Sequence, residues 1–144
     1  MKSKVINEST RYTLRILRNN PTDIDFEAIK TVKKTCDEVL HGEWASWAKD
    51  HHVLVQIIQC DQMVNESGEP GVGTYFSSLQ IVVICVPEKK SFLEKNTTLE
   101  WHHLLDDLAD TVRHELMHFR QDMEGRINGD NVEQEANAVE KGRS

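Results

Sequence analysis

His114 and His118 stand four residues apart in the stretch DTVRHELMHFRQD, residues 110–122, and Glu115 directly follows the first of them. On an α-helix that spacing stacks two side chains one turn apart on nearly the same face. Both imidazoles can then aim a ring nitrogen at one ion, and imidazole nitrogens at about 2.0–2.1 Å suit zinc. Glu115 is turned by about 100° from His114. From there it reaches a water held by the ion without being a ligand itself, which is the position of a general base. Zinc lowers the pKa of such a water toward about 7, and the carboxylate takes its proton as it attacks a polarised carbonyl. With 7 histidines in 144 residues, composition alone produces HExxH about 0.03 times per chain. Chance is therefore an uncommon source of the motif, and its setting decides.

A catalytic zinc takes three protein ligands and keeps one position open. Four carboxylates downstream are candidates. Glu124 lies six residues after His118, but the intervening Gln121 lets a helix continue where a glycine would have turned the chain. Asp122 lies one further turn along the same helix, from which successive turns do not converge on one ion. The other two are Glu133 and Glu135 in NVEQEANAVE. Two positions apart on a helix is about 200°, so only one of them faces the domain. Glu135 shares its face with Val132, Ala136 and Val139, the apolar side that must dock. Glu133 points away with Asn137 and Glu140, and with Asp130 as N-cap it falls at the N3 position of a capping box. A glutamate on a docking face is costly unless a cation offsets its charge. Helical geometry favours Glu135 as the third ligand.

These residues need a long helix, a second short one and a core to hold them. Leu105, Leu108, Val112, Leu116, Phe119 and Met123 recur at helical spacing, so a helix over 99–124 carries the motif. Gly125 and Asn128-Gly129 break the chain, and a short helix over 131–141 follows. Upstream, Phe26, Ile29, Val32, Cys36, Val39 and Leu40 mark a helix over 22–41, capped by Thr22 or Asp23 and stopped near Gly42. Trp44 and Trp47 fit a short element that covers the core. VLVQIIQC and LQIVVICVP read as strands inside a sheet region, 53–87, with a glycine-rich loop over 61–78. Residues 1–20 form an N-terminal segment whose Arg11, Arg15 and Arg18 read as a solvated face. Helix, strands, long helix, short helix is an α+β order, and 144 residues suit one domain.

Apolar residues make up 38% and charged residues 28%, with a net charge of −7. That balance argues against a nucleic-acid partner bound by general phosphate neutralisation. The longest apolar run, IVVICV, is too short to cross a bilayer, so no membrane role is expected. Cys36, Cys60 and Cys85 form no CxxC pair and no disulfide framework, and no secretory leader opens the chain. They read as core thiols in a reducing, cytoplasmic compartment. His102 and His103 are too far up the long helix to share the ion; His103 is about 16 Å from His114 along the axis. His41, His51 and His52 read as surface residues. Tyr75 and Arg113 could serve a transition-state oxyanion, but the sequence places neither.

RHELMHFRQ followed by EQEANAVE resembles the zincin metallopeptidases, in particular the gluzincin arrangement. The likeness is to small phage-encoded metallopeptidases with HExxH and an ExEAxA segment, and to ImmA/IrrE-type proteases with a similar EAN segment. It covers about residues 108–140. The resemblance implies a small zincin-like domain over 1–144 and a single zinc held by His114, His118 and the glutamate of EAN, Glu135. It assigns Glu115 as base and a peptide or protein as substrate. It also implies that residues 79–87 form a strand near the active-site helix, the edge along which an extended peptide lies. A phage origin would place the protein in a host cytoplasm. The alternative function is a catalytically silent, zinc-binding accessory or regulatory protein of the same fold.

Overall fold

In the computed structural model, which describes residues 2–18, 24–59, 63–64, 70–71, 73–125, 133 and 135–136, the chain opens with a β-hairpin. Strand β1 (Lys2–Glu8) pairs antiparallel with β2 (Tyr12–Arg18). The reason lies in YTLRILR: Tyr12, Leu14 and Ile16 are buried, while Thr13, Arg15 and Leu17 alternate with them on the other face. Of the arginines that suggested a solvated patch, Arg15 alternates with the buried residues of this strand, and the side chain of Arg18 lies outside the described residues. Arg11, just before it, donates through Nη1 to the Leu40 carbonyl and contacts His41 Nδ1.

Helix α1 (Phe26–Glu38) crosses from β2 to β3 (Val53–Gln59), and these strands pair in parallel. Two strands can run parallel only through such a crossover. Strand β3 pairs in parallel with β7 (Ile81–Val86), and β6 (Gly73–Phe76) lies antiparallel outside β7. The sheet order is β1-β2-β3-β7-β6, and a separate two-residue ribbon joins β4 (Met63–Val64) to β5 (Pro70–Gly71). The strand over 79–87 is therefore interior, not an edge; β6, inside the expected glycine-rich loop, is the edge beside the long helix. The near-continuous apolar runs of β3 and β7 suit interior parallel strands.

Asp25 caps α1, its carboxylate accepting from the backbone amides of Glu27 and Ala28 at 3.0 and 3.4 Å. The expected caps, Thr22 and Asp23, lie outside the described residues. Near Gly42 the helix widens into a π-helical turn, Val39–Glu43, and then α2 (Ala45–Ala48). Helix α3 (Lys89–Lys95) precedes α4 (Thr98–Met123), which starts on a reciprocal capping box between Thr97 and Glu100. Helix α4 is about 39 Å long and packs against α1, β6 and β7. Its buried residues Trp101, Leu108, Val112, Leu116 and Phe119 meet the sheet core built from Leu14, Val55, Ile57, Val82 and Ile84. Trp47 packs edge-on against Phe119 at 5.8 Å, and the Arg120 guanidinium lies 5.0 Å from Trp44 and 5.2 Å from Trp47. The tryptophans thus pack as expected, over the back of α4.

Cys36 is a buried free thiol whose pKa burial pushes up. Cys85 is disulfide-bonded, contrary to the expectation of reduced core thiols. Cysteine spacing along a chain does not show which thiols a sheet brings together. Cys60 lies outside the described residues. Among the described residues no helix is long and apolar enough to cross a membrane.

Candidate metal centre

Helix α4 brings the two histidines together as its geometry requires. Their Nε2 atoms are 3.1 Å apart, and the rings are tilted at 77° with centroids 4.8 Å apart. The Glu133 carboxylate closes the group, with Oε1 2.9 Å from His118 Nε2 and Oε2 3.3 Å from His114 Nε2. Three ligating side chains thus meet at one point. Zinc bonds of about 2.0–2.1 Å in a tetrahedron set ligand atoms about 3.3 Å apart, and the observed edges of 2.9–3.3 Å fit that donor set. Two nitrogens and one carboxylate are the donor set of a catalytic zinc site, which keeps a further position for water or substrate. The histidine side chains are 18% and 11% exposed and Glu133 is 69% exposed, so the group is reachable from solvent on its Glu133 side. Glu115, beside His114 on α4, is buried.

The glutamate that meets the imidazoles is Glu133. Glu135, the ligand expected from the sequence, faces the domain as its helical position requires, but its Oε1 accepts from Gln121 Nε2 at 3.0 Å. Glu133, Glu135 and Ala136 are helical, and Ala136 is fully buried; the rest of the expected 131–141 helix lies outside the described residues. Two residues apart on a helix, the carboxylates point to different sides of the segment: Glu133, 69% exposed, meets the imidazoles, and Glu135 meets the buried amide of Gln121.

Gln121, considered in the sequence only as a place where the chain fails to turn, is fully buried, and its Oε1 lies 2.9 Å from His118 Nδ1. Its position three residues after His118 was the available signal, since i and i+3 side chains touch on a helix. The other ligand candidates are engaged elsewhere. Asp122 accepts from the Tyr75 hydroxyl at 2.5 Å, and Glu124 lies 3.6 Å from Arg120 Nε. Arg113 reaches Glu43 at 2.7 Å and Glu38 at 2.9 Å, binding α4 to the end of α1 and its π-turn. The remaining described histidines lie in other surroundings: His41 contacts Ser9 and Arg11, His51 stacks on Trp47 at 4.1 Å, His52 contacts Thr13, and His102 and His103 are exposed near the start of α4.

No family model, curated protein or solved structure matches this chain. His114-Glu115-x-x-His118 on a long helix, with the distal Glu133, matches a zincin HExxH-type metal site and is consistent with a catalytic zinc metallopeptidase.

Proposed function

We propose that the chain is one zincin-like domain that binds a single zinc ion through His114, His118 and Glu133 and hydrolyses peptide bonds. The observation that carries this reading is the convergence of three ligating side chains, 2.9–3.3 Å apart, two of them on a helix that also carries the buried Glu115 next to His114. Bound there, zinc supplies a Lewis acid for the scissile carbonyl and a water acidified toward neutrality. Glu115 takes the proton of the attacking water on a carboxylate oxygen and returns it to the leaving amine nitrogen. His114 and His118 present their Nε2 atoms side by side from one helix, 3.1 Å apart and facing Glu133.

The substrate class rests on the resemblance to gluzincins and on β6, the edge strand beside α4, along which an extended peptide can pair. A net charge of −7 supports a protein substrate over nucleic acid. A cytoplasmic, phage-related setting is the corresponding proposal for its place of action.

Metal analysis of protein purified without added metal is expected to give about one zinc per chain. Glu115→Gln is expected to keep that zinc and to lose hydrolysis of a peptide library by at least about a hundredfold. Full activity in that variant would remove Glu115 as base. Zinc without turnover in the wild type would instead support the catalytically silent accessory protein.

A further inference from the structure

The His118 ring is gripped from both sides. Nε2 faces His114 and Glu133, while Nδ1 lies 2.9 Å from Gln121 Oε1. An amide oxygen only accepts, so that contact requires the proton on Nδ1 and leaves the lone pair on Nε2, toward the proposed metal. The amide itself is held in one orientation. Gln121 Nε2 donates to Glu135 Oε1 at 3.0 Å, and an ionised carboxylate also only accepts. Turning the amide over would set its oxygen against the carboxylate and lose both bonds. Gln121 is fully buried, so water does not compensate for that loss.

We infer that Gln121 and Glu135 are positioning residues of the metal centre: Glu135 orients the Gln121 amide, and the amide fixes the tautomer and ring angle of His118. The inference rests on the metal-site reading above. A second consequence follows from the chain. Glu133 and Glu135 are two residues apart on one helical turn, so the Glu135–Gln121 bond also ties to α4 the segment that presents Glu133. That anchor explains how a carboxylate as exposed as Glu133 is held over both imidazoles. Partners of this kind commonly change metal affinity by 10–100-fold.

The test uses the full chain and zinc alone, with affinity measured by competition against a chromophoric chelator. Gln121→Leu is expected to weaken zinc binding by about 10–100-fold and Glu135→Ala by about tenfold. Glu135→Gln, whose amide oxygen still accepts from Gln121, is expected to restore most of the affinity. Long-range 1H–15N correlation spectra of the metal-free protein in a Glu133→Ala background, where no carboxylate draws a proton to Nε2, supply a readout that does not depend on activity. His118 is expected as the Nδ1–H tautomer with Gln121 intact and is expected to lose that preference when Gln121→Leu is added. If Gln121→Leu disturbs folding, Glu135→Ala on the partly exposed segment carries the same two measurements.

Wild-type affinity and an unchanged His118 tautomer in these variants would overturn the inference. So would complete loss of zinc in Glu135→Ala with zinc retained in Glu133→Ala, which would make Glu135 a ligand. His114→Ala and Glu133→Ala test the underlying reading separately. If both keep wild-type affinity, the metal site itself is refuted; if both lose zinc while Gln121→Leu does not, only the positioning role falls.

Discussion

At Gly73 on the edge strand the sheet backbone lies close against the long helix, and Gly73→Ala probes how that approach sets the site. A Cβ at this position would lie 2.6 Å from Thr111 Cγ2, 3.2 Å from Ile84 Cδ1 and 3.4 Å from the Val83 carbonyl oxygen. Carbon atoms in contact prefer about 3.5–4.0 Å, so the Thr111 methyl is about 1 Å too near. The Ile84 tip can swing aside. Strand β6 cannot recede, because it is laddered to β7 with Gly73 opposite Ile84. Helix α4 must lift, against the burial of Leu108 and Val112 on the same face. Overpacking of this size costs about 1–3 kcal/mol, against which the strand preference of alanine over glycine returns about 0.5–1 kcal/mol. A net loss of about 1–2 kcal/mol is therefore expected in urea unfolding. Thr111→Ser removes the offending methyl but keeps the hydroxyl that donates to the Asp107 carbonyl at 2.9 Å. In that background Gly73→Ala is expected to become neutral or stabilising, giving a coupling of about 1–2 kcal/mol in a double-mutant cycle. Thr111 is three residues before His114, so a lifted helix also carries both imidazoles away from Glu133, which lies on another segment. Zinc affinity is expected to fall in Gly73→Ala and to recover in the double variant. Stability within 0.5 kcal/mol of wild type in Gly73→Ala, or no rescue by Thr111→Ser, would refute the close-contact reasoning.

Arg113→Ala removes a largely buried guanidinium that bridges Glu38 and Glu43 at 2.9 and 2.7 Å. Both carboxylates are partly solvated, so a loss of about 1 kcal/mol, smaller at high salt, is expected in thermal unfolding. Tyr12→Phe removes a 2.5 Å hydrogen bond to Asp37. Burial raises the Asp37 pKa, but the hydrogen bonds from Lys33 and Tyr12 and the Lys33 and His41 charges outweigh it, holding it below the ordinary 3.8. A depressed carboxylate stabilises the fold above its unfolded pKa and loses that contribution as pH falls through the folded one. The deficit of Tyr12→Phe, about 1–2 kcal/mol at neutral pH, is thus expected to shrink below about pH 4. A deficit constant from pH 7 to pH 2 would show that Asp37 is not the partner that matters. Thiol titration in denaturant is expected to find fewer than three reactive cysteines before reduction and three afterwards; three in both would dismiss the disulfide at Cys85.

The parts legible in the sequence are those where local pattern and tertiary role agree. Helix α4 announces itself through 26 residues of helical periodicity and the Thr97–Glu100 capping box. Strands β3 and β7 do so through apolar runs too short for helices. Strand β6 was illegible because its first residue is a glycine, which weakens any strand signal; the glycine is there because Thr111 leaves no room for a side chain. Strand β2 was hidden by charge. Its buried Tyr12, Leu14 and Ile16 alternate with polar residues, and the arginines drew attention from the period of two.

The third ligand shows where helical arithmetic stops. That Glu133 and Glu135 face opposite ways follows from 100° per residue, and in the structure they do meet different partners. Which of the two faces the metal depends on where the cleft opens, and that is a property of the docked helices and not of either one alone. Charge burial pointed to Glu135 because a cation was the only compensation considered. The structure supplies another, the buried amide of Gln121, which donates to Glu135 while Glu133 meets the imidazoles. The two glutamates then divide one task. On the proposed reading Glu133, the exposed one, would share an ion with a substrate carbonyl, and Glu135 would hold that turn of chain, and through Gln121 the His118 ring, in register. Exchanging their roles would require the short helix to roll by about half a turn, withdrawing Ala136 from the core where it is fully buried.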